Sequence, residues 1–70
     1  MKVNELRAAV VRAGMSMEMF AKKLGISKKS LYSRLNGNVE FELDELRRAK
    51  KTLALSNEAF MDIFFDDKVS

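Results

Sequence analysis

Cysteine, histidine, tryptophan and proline are all missing from these 70 residues. Without cysteine there is no disulfide and no thiolate nucleophile. Without histidine as well, the usual zinc ligands and the Ser/His and Cys/His catalytic pairs are excluded. No nucleophile–base pair or phosphate-cradling loop stands out in the pattern, so neither an enzyme nor a cofactor is expected. Asp62, Asp66 and Asp67 lack the ordered loop and further oxygen ligands of a hard-metal site, so they are expected to be solvated and no metal is assigned. No apolar run approaches the roughly 20 residues that a membrane-spanning helix needs, and no leader-like segment is seen. A soluble, cytoplasmic protein with no membrane partner is expected.

Large apolar content is limited by size. A chain this short buries about 60–65% of its unfolded surface, so one small domain of modest stability is expected. It is placed at residues 1–65, with 66–70 as a short flexible tail. Acidic residues are scarce in the first half. Residues 1–38 carry eight Lys/Arg against two acids, a net of +6, whereas residues 39–70 carry five against eight, a net of −3. A basic half beside an acidic half points to a polyanionic partner on one side of the molecule.

With no proline, helices can run uninterrupted, and the only three glycines punctuate them. Leu6, Ala9, Val10 and Ala13 recur at helical spacing and predict a helix over 3–13, with Asn4 as N-cap and Gly14 as terminator. A second helix is predicted over 17–24, capped by Ser16, with Phe20 and Leu24 inward and Ala21 small enough for a close crossing. A third is predicted over 28–36, with Leu31 and Leu35 inward, Lys29, Ser33 and Asn36 opposite, and Tyr32 at the flank. A fourth is predicted over 43–53, with Leu43, Leu46, Ala49 and Leu53 inward and either Glu42 or Asp44 as cap. A fifth is predicted over 57–65, capped by Ser56, with Leu55 and Phe60 spaced as a hydrophobic staple. No alternation is long enough for a sheet. The fold class is therefore all-α, a compact five-helix domain. Met15, Met17, Met19 and Met61 are expected to be core filler or plain surface.

The stretch from Phe20 to Gly37 carries the functional information. Gly25 stands where a helix must end in a left-handed residue, Ile26 is an apolar plug, and Ser27 caps a helix that opens on two lysines. This order describes a helix-turn-helix, whose second helix can enter the major groove of DNA. A lysine there can donate to guanine O6 and N7, and the helix N-terminus adds partial positive charge toward phosphate.

The spacing of Ala21, Gly25, Ile26, Ser27 and the Leu35-Asn36-Gly37 ending resembles the phage repressor and Cro group, also called the Xre-type helix-turn-helix group. The helix order extends that resemblance across almost the whole chain. It is most similar to small Cro-like regulators of phages of Gram-positive bacteria, which often end in an "IFF" segment. The resemblance implies a lambda-repressor-like fold and sequence-specific regulation of transcription on double-stranded operator DNA. It also places Ser27, Lys28, Lys29 and Ser33 at base-reading positions and Asn36 at a phosphate contact. Two departures stand out. Met17 occupies a position where the group often has a phosphate-binding glutamine, which leaves Ser16 as the nearest donor. Arg34 replaces an apolar residue and is expected to reach a phosphate. Tyr32 is added as a candidate for sugar stacking or a thymine methyl.

Two functions are carried forward. One is a DNA-binding regulator that forms a weak homodimer, in solution or on DNA. The other is an interaction module of the same fold that binds a partner repressor and alters its operator occupancy. For either, Met61, Phe64 and Phe65 are nominated as an apolar patch, since one helix in so small a domain cannot turn every large apolar residue inward.

Overall fold

The computed structural model describes residues 1–65; the expected tail over 66–70 lies outside them. Five helices follow one another: α1 (Val3–Arg12), α2 (Met17–Leu24), α3 (Lys28–Leu35), α4 (Leu43–Thr52) and α5 (Asn57–Phe64). The described residues contain no strand. Each helix starts at the residue the sequence pattern predicts and ends within one residue of it.

Local chemistry explains most boundaries. Ser16, Ser27 and Ser56 have extended backbones, and their hydroxyls accept from the backbone N–H three residues on, at 3.1, 3.1 and 3.0 Å. Each satisfies one of the donors that a helix start leaves open. Of the two caps considered for α4, Glu42 is the one used, and it forms a reciprocal capping box with Glu45. The start of α1 corrects an expectation. Asn4 is not the cap; it lies inside the first turn, and Lys2 holds the cap position without a side-chain bond to the helix start. A tertiary tie replaces the cap. The Lys2 backbone N–H donates to the Ile63 carbonyl at 2.8 Å, and its ammonium meets Asp62 at 2.9 Å.

The core is built from Leu6, Val10, Phe20, Leu24 and Leu31, all fully buried. α2 lies at the centre, packed against α1, α3 and α4, while α5 closes on α1. Ala21 and Ala49 are also fully buried, and their small side chains let neighbouring backbones approach. The Phe41 ring meets Phe64 edge-on, with centres 5.6 Å apart, and Phe60 lies 5.1 Å from Phe64. Leu55 and Phe60 sit half-buried against this core.

Helix α4 departs from the predicted pattern in its first turn. Leu46, Ala49 and Leu53 face the core, but Leu43 is 61% exposed, and Glu45 is only 5% exposed. Two positions apart on a helix are about 200° apart around it, so an inward Glu45 turns Leu43 outward. The carboxylate is held inside by Arg34 of α3.

Four helix ends share one left-handed geometry, three of them at Gly14, Gly25 and Gly37 and one at Ala54; Gly25 and Ala54 show the contrast. At Gly25 (φ +83°) the N–H groups of Gly25 and Ile26 donate to Lys22 and Ala21 carbonyls, both at 3.0 Å. At Ala54 (φ +52°) the N–H groups of Ala54 and Leu55 donate to Lys51 and Lys50 carbonyls at 3.1 and 3.0 Å. Both are Schellman motifs, and the second places an alanine where glycine is the unstrained residue.

Candidate nucleic-acid interface

The turn at Gly25 sets the angle at which α3 leaves α2, and it is braced from a third helix. Arg48 of α4 donates through Nη1 to the Leu24 carbonyl at 3.0 Å. A cation there also complements the negative end of the α2 dipole. A side chain at Gly25 would bring its Cβ to 3.3 Å from that same Nη1, so the turn and the brace are fitted to one another. Ile26 is half-buried against the core, as a plug between the helices.

Helix α3 is then divided by its own periodicity. Leu31 and Leu35 are buried. Lys28, Lys29 and Asn36 are exposed, and Ser33 and Tyr32 are half-buried. Lys29, Ser33 and Asn36 lie within about 60° of one another on the side away from Leu31 and Leu35. The structure therefore brings Lys29, Ser33 and Asn36 together, with Lys28 on the flank shared by Tyr32. Ser27 stands just before them, but its hydroxyl is already engaged. It accepts from the Ser30 N–H and donates to the Ser30 hydroxyl at 3.0 Å, leaving a lone pair as its main means of outside contact. Ser16 is exposed, and its oxygen accepts from the Met19 N–H. Its hydroxyl proton has no acceptor among the described residues.

Arg34 corrects an expectation. Its Nε and Nη2 donate to the two Glu45 carboxylate oxygens at 2.7 and 3.1 Å, and its Nη1 donates to the Ser30 carbonyl at 3.1 Å. With only 12% of its side chain exposed, it is an internal fastener between α3 and α4 rather than a phosphate contact. The Glu45 oxygen that meets Nε also accepts the Glu42 N–H at 3.1 Å. Its carboxyl is held below the ordinary glutamate range, chiefly by the Arg34 hydrogen bonds, against the opposing effect of burial. The Arg34 guanidinium is correspondingly raised, first by its bond to Glu45. A patterning argument for α4 misses Glu45, although a glutamate three residues after a cap is the signature of a capping box.

The cations thus fall into two groups. Lys2, Arg34, Arg48 and Lys50 have internal acceptors: Asp62, Glu45, the Leu24 carbonyl and Asn57. Lys22, Lys23, Lys28 and Lys29, on the two helices of the motif, are exposed and have no carboxylate partner among the described residues, and the same holds for Arg7 and Arg12 on α1 and Arg47 and Lys51 on α4. Tyr32 has two cations at its ring: the Arg7 guanidinium of α1 at 5.3 Å from the centre and the Lys28 ammonium at 6.0 Å.

The nominated apolar patch is only partly placed on the surface. Met61 is 54% exposed and Phe65 is 44% exposed, but Phe64 is 7% exposed and belongs to the core through Phe41 and Phe60. Phe65 packs edge-on against Phe60 at 5.7 Å. It lines a shallow groove of about 320 Å³ together with Met1, Val39, Phe41 and Leu46.

No helix among the described residues is long and apolar enough to cross a membrane. Compared with known proteins, residues 6–56 match a family model described as Helix-turn-helix. No curated protein and no solved structure matches the chain.

Proposed function

The chain belongs to the helix-turn-helix family of DNA-binding regulatory domains, and on that premise we propose that it is a sequence-specific regulator of transcription of the phage Cro or repressor kind. Residues 28–36 enter the major groove. Lys28, Lys29, Ser33 and, through its free lone pair, Ser27 read base edges, and Ser16 and Asn36 hold the backbone, with Tyr32 at the groove wall. One observation carries the proposal. The outward side of α3 presents Lys29, Ser33 and Asn36 without internal partners, next to Lys28, on a helix fixed by the braced Gly25 turn. Unpaired cations at the start of a groove-sized helix are matched by nothing so well as a polyanion with acceptors at its base edges.

A single domain of this size reads few base pairs, so the proposed working unit is two protomers on half-sites roughly 34 Å apart. Selection from random duplex DNA with the purified protein, followed by titration on the selected and a scrambled duplex, tests the proposal. A preferred sequence should emerge. Two protomers sharing about six phosphate contacts should give a log–log salt slope near −5. A tight complex with a slope near zero, or no retardation of any duplex at moderate salt, overturns it.

The exposed Met61 and Phe65 favour a second reading, in which the same fold docks on a partner repressor and changes its operator occupancy. That reading requires that the purified protein alone fail to retard operator DNA and retard it only with the partner present.

A further inference from the structure

We infer that Arg7, on α1, is part of the same interface as a phosphate anchor, held in place by Tyr32; this rests on the DNA reading above. The guanidinium lies 5.3 Å from the centre of the Tyr32 ring. Tyr32 sits one flank away from the buried Leu31 and Leu35, so the stack fastens Arg7 beside the proposed recognition helix. Arg7 is exposed and has no carboxylate or carbonyl acceptor among the described residues. Its five donors therefore remain open while the ring contact limits where its head group sits. The Lys28 ammonium, at 6.0 Å from the same ring, brings a second positive charge to one small patch. Two positive charges beside one ring make this flank of α3 locally positive, a field that suits an anion. The opposite flank of α3 is used differently. There the cation on α3, Arg34, is closed off by Glu45. The phosphate of the strand bordering the groove on the α1 side is the anion that fits.

The experiment is anisotropy titration of a selected and a scrambled duplex across a salt series, with parent, Arg7→Ala, Tyr32→Phe and Tyr32→Ala. Melting curves confirm that each variant is folded. One released counterion is worth about 10 to the power 0.9 at 0.1 M salt, so Arg7→Ala should weaken both duplexes about eight-fold per protomer. Its slope should be about 0.9 shallower per protomer, or about 1.8 for the two-protomer complex. Tyr32→Phe keeps the ring and should keep the Arg7-dependent part of the salt slope, whereas Tyr32→Ala should lose part of that salt-dependent binding. Parental affinity and slope in Arg7→Ala, with the parent binding normally, overturns the anchor while leaving the DNA reading intact. A loss confined to the selected duplex overturns the phosphate assignment in favour of a base contact. Failure of the parent to bind any duplex overturns the DNA reading and the anchor with it.

Discussion

Gly14, Gly25 and Ala54 occupy left-handed positions at three helix ends, with φ of +77°, +83° and +52°. Substituting alanine for glycine and glycine for alanine at them should therefore give opposite signs. A left-handed conformation costs an L-residue roughly 1–2 kcal/mol. Alanine recovers about 0.4–1 kcal/mol by restricting the unfolded chain. At Gly14, where an added Cβ meets nothing within 4 Å, only these two effects operate. Gly14→Ala should then cost about 0.5–1 kcal/mol. At Gly25 the new Cβ stands 3.3 Å from Arg48 Nη1, which must move away from the Leu24 carbonyl it caps. Weakening that hydrogen bond adds roughly 0.5–1.5 kcal/mol, so Gly25→Ala should cost more than Gly14→Ala by about that amount. Ala54→Gly relieves the strain already present and should stabilise by about 0.5–1 kcal/mol, or roughly 2–8 °C in Tm for a domain of this length. Urea and thermal unfolding followed by circular dichroism measure all three. Ala54→Gly less stable than the parent, or Gly25→Ala no worse than Gly14→Ala, refutes the reasoning.

Phe20 is fully buried at the crossing of the helices, so Phe20→Ala should cost about 3–5 kcal/mol and leave little folded protein in a melt. The depressed Glu45 carboxyl gives stability that is full above the unfolded pKa and lost as pH falls through the lower folded value. Melting below about pH 4.3 should steepen in the parent and flatten in Glu45→Gln, which is less stable at pH 7; parallel pH profiles would remove the pair from that role. Lys29→Ala should cost about 1–3 kcal/mol on the selected duplex alone, whereas Lys22→Ala should weaken selected and scrambled duplexes equally. Phe65→Ser should lower cooperative binding to a two-half-site duplex while the monomer stays folded, read by sedimentation with and without DNA; unfolding of the variant instead would place Phe65 in the core.

Helix positions were legible in the sequence because local signals and periodicity agree there. Serine caps, glycine stops and inward leucines all mark the same boundaries, from Ser16 through Gly25 to Leu35. The turn of the motif was legible for the same reason. What was not legible depends on contacts distant in the chain. Nothing near Asn4 announces that Lys2 will be tied to Ile63 and Asp62 instead, so the local pattern favours the wrong cap. Arg34 is an exposed-type residue on a basic helix, and only the arrival of Glu45, 11 positions on, turns it inward. The same contact explains Leu43, whose outward position follows from the phase that Glu45 imposes on α4. Phe64 and Phe65 were separable only in part. Adjacent positions differ by about 100°, which says that one is more exposed but does not choose between them. The choice is made by Phe41, which reaches α5 from the loop before α4.

The two flanks of α3 divide the work of presenting it. On one flank, Arg34 and Glu45 neutralise each other across the α3–α4 contact, and the same carboxylate caps α4. That pairing withdraws a positive charge from the surface and uses it to fix the helix. On the other flank, Tyr32 meets Arg7 through its ring, which orders the cation without cancelling its charge. A carboxylate at that second position would fasten α1 to α3 more firmly, but it would place a negative charge beside the exposed lysines of α3. An aromatic ring gives orientation and leaves the field positive. The arrangement implies that neutralising Arg7 by an acidic residue at position 32 should be worse for DNA binding than removing the ring. Tyr32→Glu should therefore bind every duplex more weakly than Tyr32→Ala, even if it melts higher. Equal binding by the two variants at low salt would mean that charge on this flank is immaterial, and that the basic surface ends at α3.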